Sequence, residues 1–446
     1  MLDALGRSMI IDHKSKRRLL IGAVFSASLA LGASCSQAFA QTAPTPPPRE
    51  VFYSNLQPLT DIVARVEQDP RPQTSEGALQ VLNWLVFGNL NLGSAYDSNE
   101  YASPNRVSAY GVQLQPAIVA ERNTGIQRTL LYGDGDFRYY PSLGRTDVVN
   151  TTVGLAHVWE VYRDLIVRGQ FEASVGEQNS GLINTNGVQY TKPPQYTSLF
   201  GSTSVEKSFG RFFTAVGGSV TGNVFNNTTD SLGNVIDETF QNGTRETLNG
   251  RIGYHISPIV YTFVEPSVNW GQYQDSNLNS SGYQVIGGLG SARIGYVNGE
   301  IYAGALSENF SDASTLTRPV YGGRINWFPT RFLTVTGSLD QSLSTSDFNP
   351  NASLPGSPTV ADRARLVASW AILRRVTLEG SAGLQHYQYL GSTRLDDMWQ
   401  FGAKAIYWLT DKVGITLNYQ YSTLNSNVAG VDYNRNFISL GAASKF

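Results

Sequence analysis

Val413-Gly414-Ile415-Thr416-Leu417-Asn418-Tyr419-Gln420-Tyr421-Ser422 decides the fold. Val413, Ile415, Leu417, Tyr419 and Tyr421 alternate with Thr416, Asn418, Gln420 and Ser422. A period of two puts the apolar set on one face of a β-strand and the polar set on the other. The stretch is about ten residues long, which is what a tilted strand needs to cross a bilayer.

The same pattern recurs outward from it. On the C-terminal side, Ile438, Leu440, Ala442, Ser444 and Phe446 share a face and the chain ends on an aromatic. That ending resembles the signal read by the outer-membrane barrel-assembly machinery. Towards the N-terminus, Trp399 to Leu409, Leu248 to Ile256, Leu165 to Val175, Tyr110 to Ile118 and Leu82 to Tyr96 alternate likewise. The connections alternate too. Short ones fall at 121–125, 160–164, 209–211, 257–258, 297–299, 328–331, 373–375 and 410–412. Long ones, rich in Asn, Ser, Gly, Asp and Thr, fall at 97–107, 140–147, 176–195, 223–243, 274–281, 309–318, 343–358, 388–396 and 423–432. Eight short and nine long connections predict 18 strands, with 16 to 20 compatible with the pattern. Short turns at one end and long loops at the other mark an all-β, antiparallel, up-and-down transmembrane barrel. An even strand number puts both termini on the periplasmic side of the outer membrane of a Gram-negative cell.

Composition agrees. Of 446 residues only 15% are charged and 41% are hydrophobic, with 44 Gly and 23 Tyr. Soluble domains carry about 25% charge. The mean hydropathy of −0.19 is what an apolar outer face averaged with a wet inner face gives. Trp84, Tyr139, Trp159, Trp270, Trp327, Trp370 and Trp408 lie towards strand ends and are expected in interfacial girdles.

The N-terminus reads as an address. Lys14, Lys16, Arg17 and Arg18 precede an apolar stretch from Leu19 to Ala33, and Ala38-Phe39-Ala40 supplies a cleavage site between Ala40 and Gln41. Residues 1–40 are therefore a signal peptide. They hold five of the 33 Lys/Arg, two of the 35 Asp/Glu and the single cysteine, Cys35. The remainder has 28 basic and 33 acidic residues, a net charge of −5, and no thiol. No nucleic-acid partner, disulfide framework or thiolate chemistry is expected. Residues 41–80 carry Pro44, Pro46, Pro47 and Pro48 and form a periplasmic extension, either a linker or one short helix over Asp61–Asp69. The barrel then occupies 81–446.

Parity assigns the inner face. Arg128, Arg138, Arg168, Arg251, Arg293, Arg324, Arg363, Arg365 and Lys404 point inward, with Asp134, Asp136, Glu172, Glu265, Asp340 and Glu379. Eighteen strands leave more interior than side chains fill, so these are candidate pore-lining residues. The basic surplus favours anionic solutes; the alternative is that mixed charges brace a hydrated wall. Inward Tyr132, Tyr302 and Tyr387 fit either packing or stacking on sugar rings. No catalytic constellation appears. The four histidines include His157, His255 and His386 and none has metal spacing; no G-x-S-x-G or H-E-x-x-H occurs, and no cofactor or metal is expected.

Gly93-Ser94-Ala95-Tyr96-Asp97-Ser98-Asn99-Glu100-Tyr101 resembles the first strand of the β-barrel porin 2 family, which ends in Tyr-Asp-Asp-Asn-aliphatic-Tyr; Ser98 and Glu100 depart from it. Tyr132 with Phe137-Arg138-Tyr139-Tyr140 resembles that family's third strand. The resemblance covers 81–446. It implies an outer-membrane porin associated with exopolysaccharide export and its periplasmic partners. Asp97 and Asn99 suit either a cation or a turn that bonds its own backbone. The reading is a channel for a polysaccharide or other polar solute; the alternative is a structural or surface-attachment protein, with a barrel enzyme behind both.

Overall fold

Strict alternation gives each segment two chemically opposite faces, and a slip of one residue would exchange them. Each strand must therefore pair in the one register that keeps its apolar face towards lipid. The computed structural model describes residues 79–143, 148–177, 194–229, 233–294, 296–311, 315–344 and 358–445, without the side chains of 292–294 and 344. The expected signal peptide with its Ala40/Gln41 junction, nearly all of the expected 41–80 extension, the Arg293 side chain and Phe446 lie outside the described residues.

Eighteen long strands follow one another. They are β1 (Trp84–Asp97), β2 (Ala109–Asn123), β3 (Gln127–Tyr139), β4 (Val148–Tyr162), β5 (Leu165–Glu177) and β6 (Gln195–Phe209). Next come β7 (Phe212–Phe225), β8 (Gly243–His255), β9 (Val260–Tyr273), β10 (Ser280–Ile294), β11 (Val297–Phe310) and β12 (Leu316–Thr330). The last six are β13 (Leu333–Ser344), β14 (Thr359–Leu373), β15 (Val376–Tyr389), β16 (Leu395–Trp408), β17 (Val413–Ser426) and β18 (Tyr433–Lys445). Each pairs antiparallel with its chain neighbours, and β1 pairs with β18 from Asn89↔Lys445 to Asp97↔Phe437, which closes the sheet. A strand such as β1, of 14 residues, tilted by about 40°, spans roughly 35 Å of height, enough for an apolar band of about 25 Å. Gly125 and Gly210, at φ 87° and 65°, let two of the short turns reverse the chain.

The two faces separate as the alternation requires. Leu90, Leu92, Leu366, Leu417 and Leu440 are exposed on the outside. Gln113, Asn269, Gln284, Thr416, Asn418 and Ser439 are buried on the inside. Leu366 at mid-strand is 51% exposed, a value that makes sense only against hydrocarbon. On the outer face the apolar band stops at a polar line near the long-connection end. There the Tyr321 hydroxyl and Gln341 Nε2 donate to Asp362 Oδ1 at 3.0 and 2.7 Å, and His386 Nδ1 lies 2.7 Å from Asp397 Oδ1.

Three local readings change. Trp408 is not in the girdle: it turns inward, 6% exposed, with Lys445 Nζ 4.2 Å from its ring centre. It follows Tyr407, so one of the two must face in. The turn expected at Val297–Gly299 lies between Ile294 and Val297, because a bulge between Ser291 and Ile294 advances the register. Asn298 and Gly299 then belong to β11, where Gly299 passes close over the Arg324 carbonyl. The first strand begins at Trp84, since Leu82 at φ 57° reverses a stub, Leu79–Val81, that pairs back onto it.

Leu366→Arg is expected to destabilise the barrel by about 2–4 kcal/mol, whereas Val367→Arg, facing inward, costs about 1 kcal/mol or less. Guanidinium unfolding in lipid vesicles separates the two; equal costs would contradict the register of β14.

Candidate functional site

Charges in a wall with lipid behind it are costly unless paired, and most of the inward charges are paired at strand-to-strand distances. Arg128 Nε donates to Glu121 Oε1 at 2.8 Å and Arg168 Nη1 to Glu206 Oε2 at 2.8 Å. Arg251 Nε donates to Glu265 Oε2 at 2.5 Å and its Nη1 to Glu300 Oε2 at 2.9 Å, while its guanidinium lies 3.9 Å from the Phe263 ring centre. Arg138 pairs with Asp136 and lies over Phe437. Gln113 donates to Asp136 at 2.8 Å, and Asp134 is buried on the same strand. Arg363 lies 3.7 Å from Asp340 and donates to Ser342 Oγ at 2.7 Å. Glu172 accepts from the Tyr132 hydroxyl at 3.1 Å, and Gln170 donates to that hydroxyl at 3.0 Å. Tyr132 is thus 1% exposed, packed over Gly154, and offers no free ring for a sugar. Arg324, Arg365 and Lys404 stand on β12, β14 and β16 with the same parity.

Sequence reading overlooked Glu121, Glu206, Glu300 and Glu308, and Arg245, whose Nη2 reaches Glu308 Oε1 at 3.3 Å. The signal was there. Glu121 faces Leu130 and Glu206 faces Ile166, each one diagonal step from its arginine.

Accessibility divides the interior. On β3, β8, β9 and β11 the charged side chains Asp136, Arg138, Arg245, Arg251, Glu265 and Glu308 are buried. On β12 to β16, Arg324, Ser338, Asp340, Arg363, Glu379 and Lys404 are half-buried and Arg365 is exposed. At the long-connection end, residues from the connections pack against the wall. Ala102, from the connection after β1, and Val428 and Val431, from the one after β17, pack in an apolar cluster with Tyr387, Met398, Leu424 and Tyr433.

The family-like motif is the seam that joins the first strand to the last. Asp97 Oδ1 accepts the Asn99 backbone N–H at 2.9 Å, so the turn reading of the pair holds. Asp97 Oδ2 accepts Arg435 Nε and Nη2 at 2.8 and 2.5 Å, and Arg435 Nη2 also donates to Glu100 Oε2 at 3.1 Å. Asn99 Nδ2 donates to the Ser103 and Asn434 carbonyls at 2.7 and 3.2 Å. With its carboxylate so occupied, Asp97 has no oxygen set to offer a cation, and among the described residues no metal-binding cluster occurs. Glu100 lies in the connection, beyond the end of β1. Burial pushes its carboxyl up to about 8; Arg435 and Arg138 oppose the rise and Asp97 adds to it.

A closed barrel that is apolar outside and polar inside is an outer-membrane β-barrel of the porin kind. Residues 78–446 match the family described as "Putative beta-barrel porin 2", and the chain belongs to it. No curated protein matches. Similar solved structures include a mutant of the ferric enterobactin receptor PfeA from Pseudomonas aeruginosa (7% identity, 81% of this chain, 80% of that one, TM-score 0.38). The siderophore receptor PirA from Acinetobacter baumannii is also similar (8%, 82% and 81%, 0.39), as is the outer membrane protein opdK from Pseudomonas aeruginosa (10%, 81% and 99%, 0.38).

Because the folded pKa of Glu100 lies above its ordinary 4.5, the protonated form stabilises the seam. That contribution is intact below about pH 4.5 and is lost as pH rises towards and past 8. The midpoint of heat-modifiable gel migration is expected to fall between pH 5 and 9. Glu100→Gln should flatten the profile; an unchanged slope in that variant would rule out Glu100 as its source.

Proposed function

We propose that the protein is an outer-membrane channel that passes polar solutes, with both termini in the periplasm. The observation that carries this reading is the accessible, charged inner face of β12 to β16 inside a closed barrel. A barrel built only as a scaffold gains nothing from arginines kept in contact with water. The family resemblance suggests a polysaccharide as cargo, delivered by periplasmic export partners. The barrel-assembly machinery would insert the chain. No catalytic role is proposed.

The loops packed at the long-connection end would restrict the proposed route there. In planar bilayers the full-length protein is expected to give discrete conductance steps. Val428→Ser with Val431→Ser, which loosens the two loop residues from their apolar seat, should raise the step size by about twofold or more. A silent wild-type protein that is correctly inserted would refute the channel.

A further inference from the structure

Among the described inward basic side chains, Arg365 stands without a hydrogen bond or an ion pair. The acids around it bond to other groups, and Glu379 attracts it only through space. Asp340 belongs to Arg363. Glu379 accepts the Ser369 hydroxyl at 3.3 Å and stands directly opposite Lys404 across β15 and β16. Glu300, opposite Arg324, is held by Arg251 at 2.9 Å and by the Tyr261 hydroxyl at 2.9 Å. Arg365 itself makes no hydrogen bond or ion pair with any described residue, and it is exposed on the inner face.

Its neighbours keep it so. Across the ladder Arg365 faces Ser338 on one side and Gly383 on the other. Neither carries a side chain long enough to cover a guanidinium. A Cβ at Gly383 would meet only ordinary contacts, the nearest Gln400 Cβ at 3.7 Å, so the backbone there does not require glycine. Beyond Ser338 the next residue in the same row is Arg324. Two strand spacings separate the backbones of Arg324 and Arg365, about 10 Å. The row therefore sets a second guanidinium, one with a partner of its own, beyond a small hydroxyl from Arg365. Arginine's planar fork suits bidentate contact with a carboxylate or phosphate, and a binding role, unlike a bracing one, requires the fork to be left open.

We propose that Arg365, with Arg324 beside it across Ser338, is the contact that binds carboxylate-bearing solutes inside the barrel. The inference rests on the polar-solute reading above and adds its ligand class. Contact with the exposed guanidinium would order the solute along β12 to β14, with Gly383 leaving the approach clear.

The test is equilibrium binding to the detergent-solubilised full-length protein, so it does not depend on conductance. The probes are an oligogalacturonate and a neutral maltooligosaccharide of equal length. The wild type is expected to favour the acidic probe, with affinity falling as salt rises. Arg365→Ala should weaken the acidic probe by about tenfold and leave the neutral one unchanged, the loss of one charge-assisted contact. Arg365→Lys should recover part of the loss. Gly383→Gln, which keeps the charge but covers it, should weaken acidic binding too. Heat-modifiable migration checks that each variant is folded. Equal binding of the two probes by the wild type, or acidic binding that survives both Arg365→Ala and Gly383→Gln, overturns the proposal. A protein that binds as expected but does not conduct would leave this contact standing and remove the channel.

Discussion

Hydrocarbon offers no hydrogen bonds, so each peptide N–H and C=O that enters it must find its partner in the chain. A strand satisfies half of its groups on each side, and only a sheet without edges satisfies all of them. The ladder from Asn89↔Lys445 to Asp97↔Phe437 is where that condition is met. Everything else follows from it: the even strand number, the alternation that assigns each side chain to lipid or interior, and the short turns at one end. The outer surface can then be built from Leu, Ile, Val and Ala with little regard to detail. The interior is left to carry the specificity.

The interior has its own economy of charge. Arg251 illustrates it, meeting two carboxylates and an aromatic face at once, so its removal from water is compensated on every side. Arg128 and Arg168 are each matched on the diagonal. Against that background, accessibility on β12 to β16 is a departure from the rule of the molecule. Gly383 is small where an added Cβ would meet only ordinary contacts, which suits the proposed binding surface better than mere wall.

Much of this was legible in the sequence, because a period of two survives inspection of one chain. The strand count followed from counting connections, and the inward parity of Arg128, Asp134, Arg168 or Lys404 followed from their neighbours. What was hidden was pairing. Glu121 and Glu206 are unremarked acids until the register sets them one step from an arginine. Arg435 is 338 positions from Asp97, beyond the reach of any local pattern. Trp408 shows the opposite failure: an aromatic at a strand end looks like a girdle residue, yet parity sends it inward to meet Lys445. The turn beside Gly299 misled because Asn-Gly is a strong reversal signal, and a bulge upstream overrode it.

The Asp97–Arg435 clasp also has a meaning in time. Its two halves lie 338 positions apart, so the second becomes available only after every strand between them has been made. Until then the sheet has two raw edges, each ready to add a foreign strand. A chain cut short by its last thirty or so residues would lose not a fraction of its wall but the act of closure itself. Closure of this barrel therefore waits on its most distant contact.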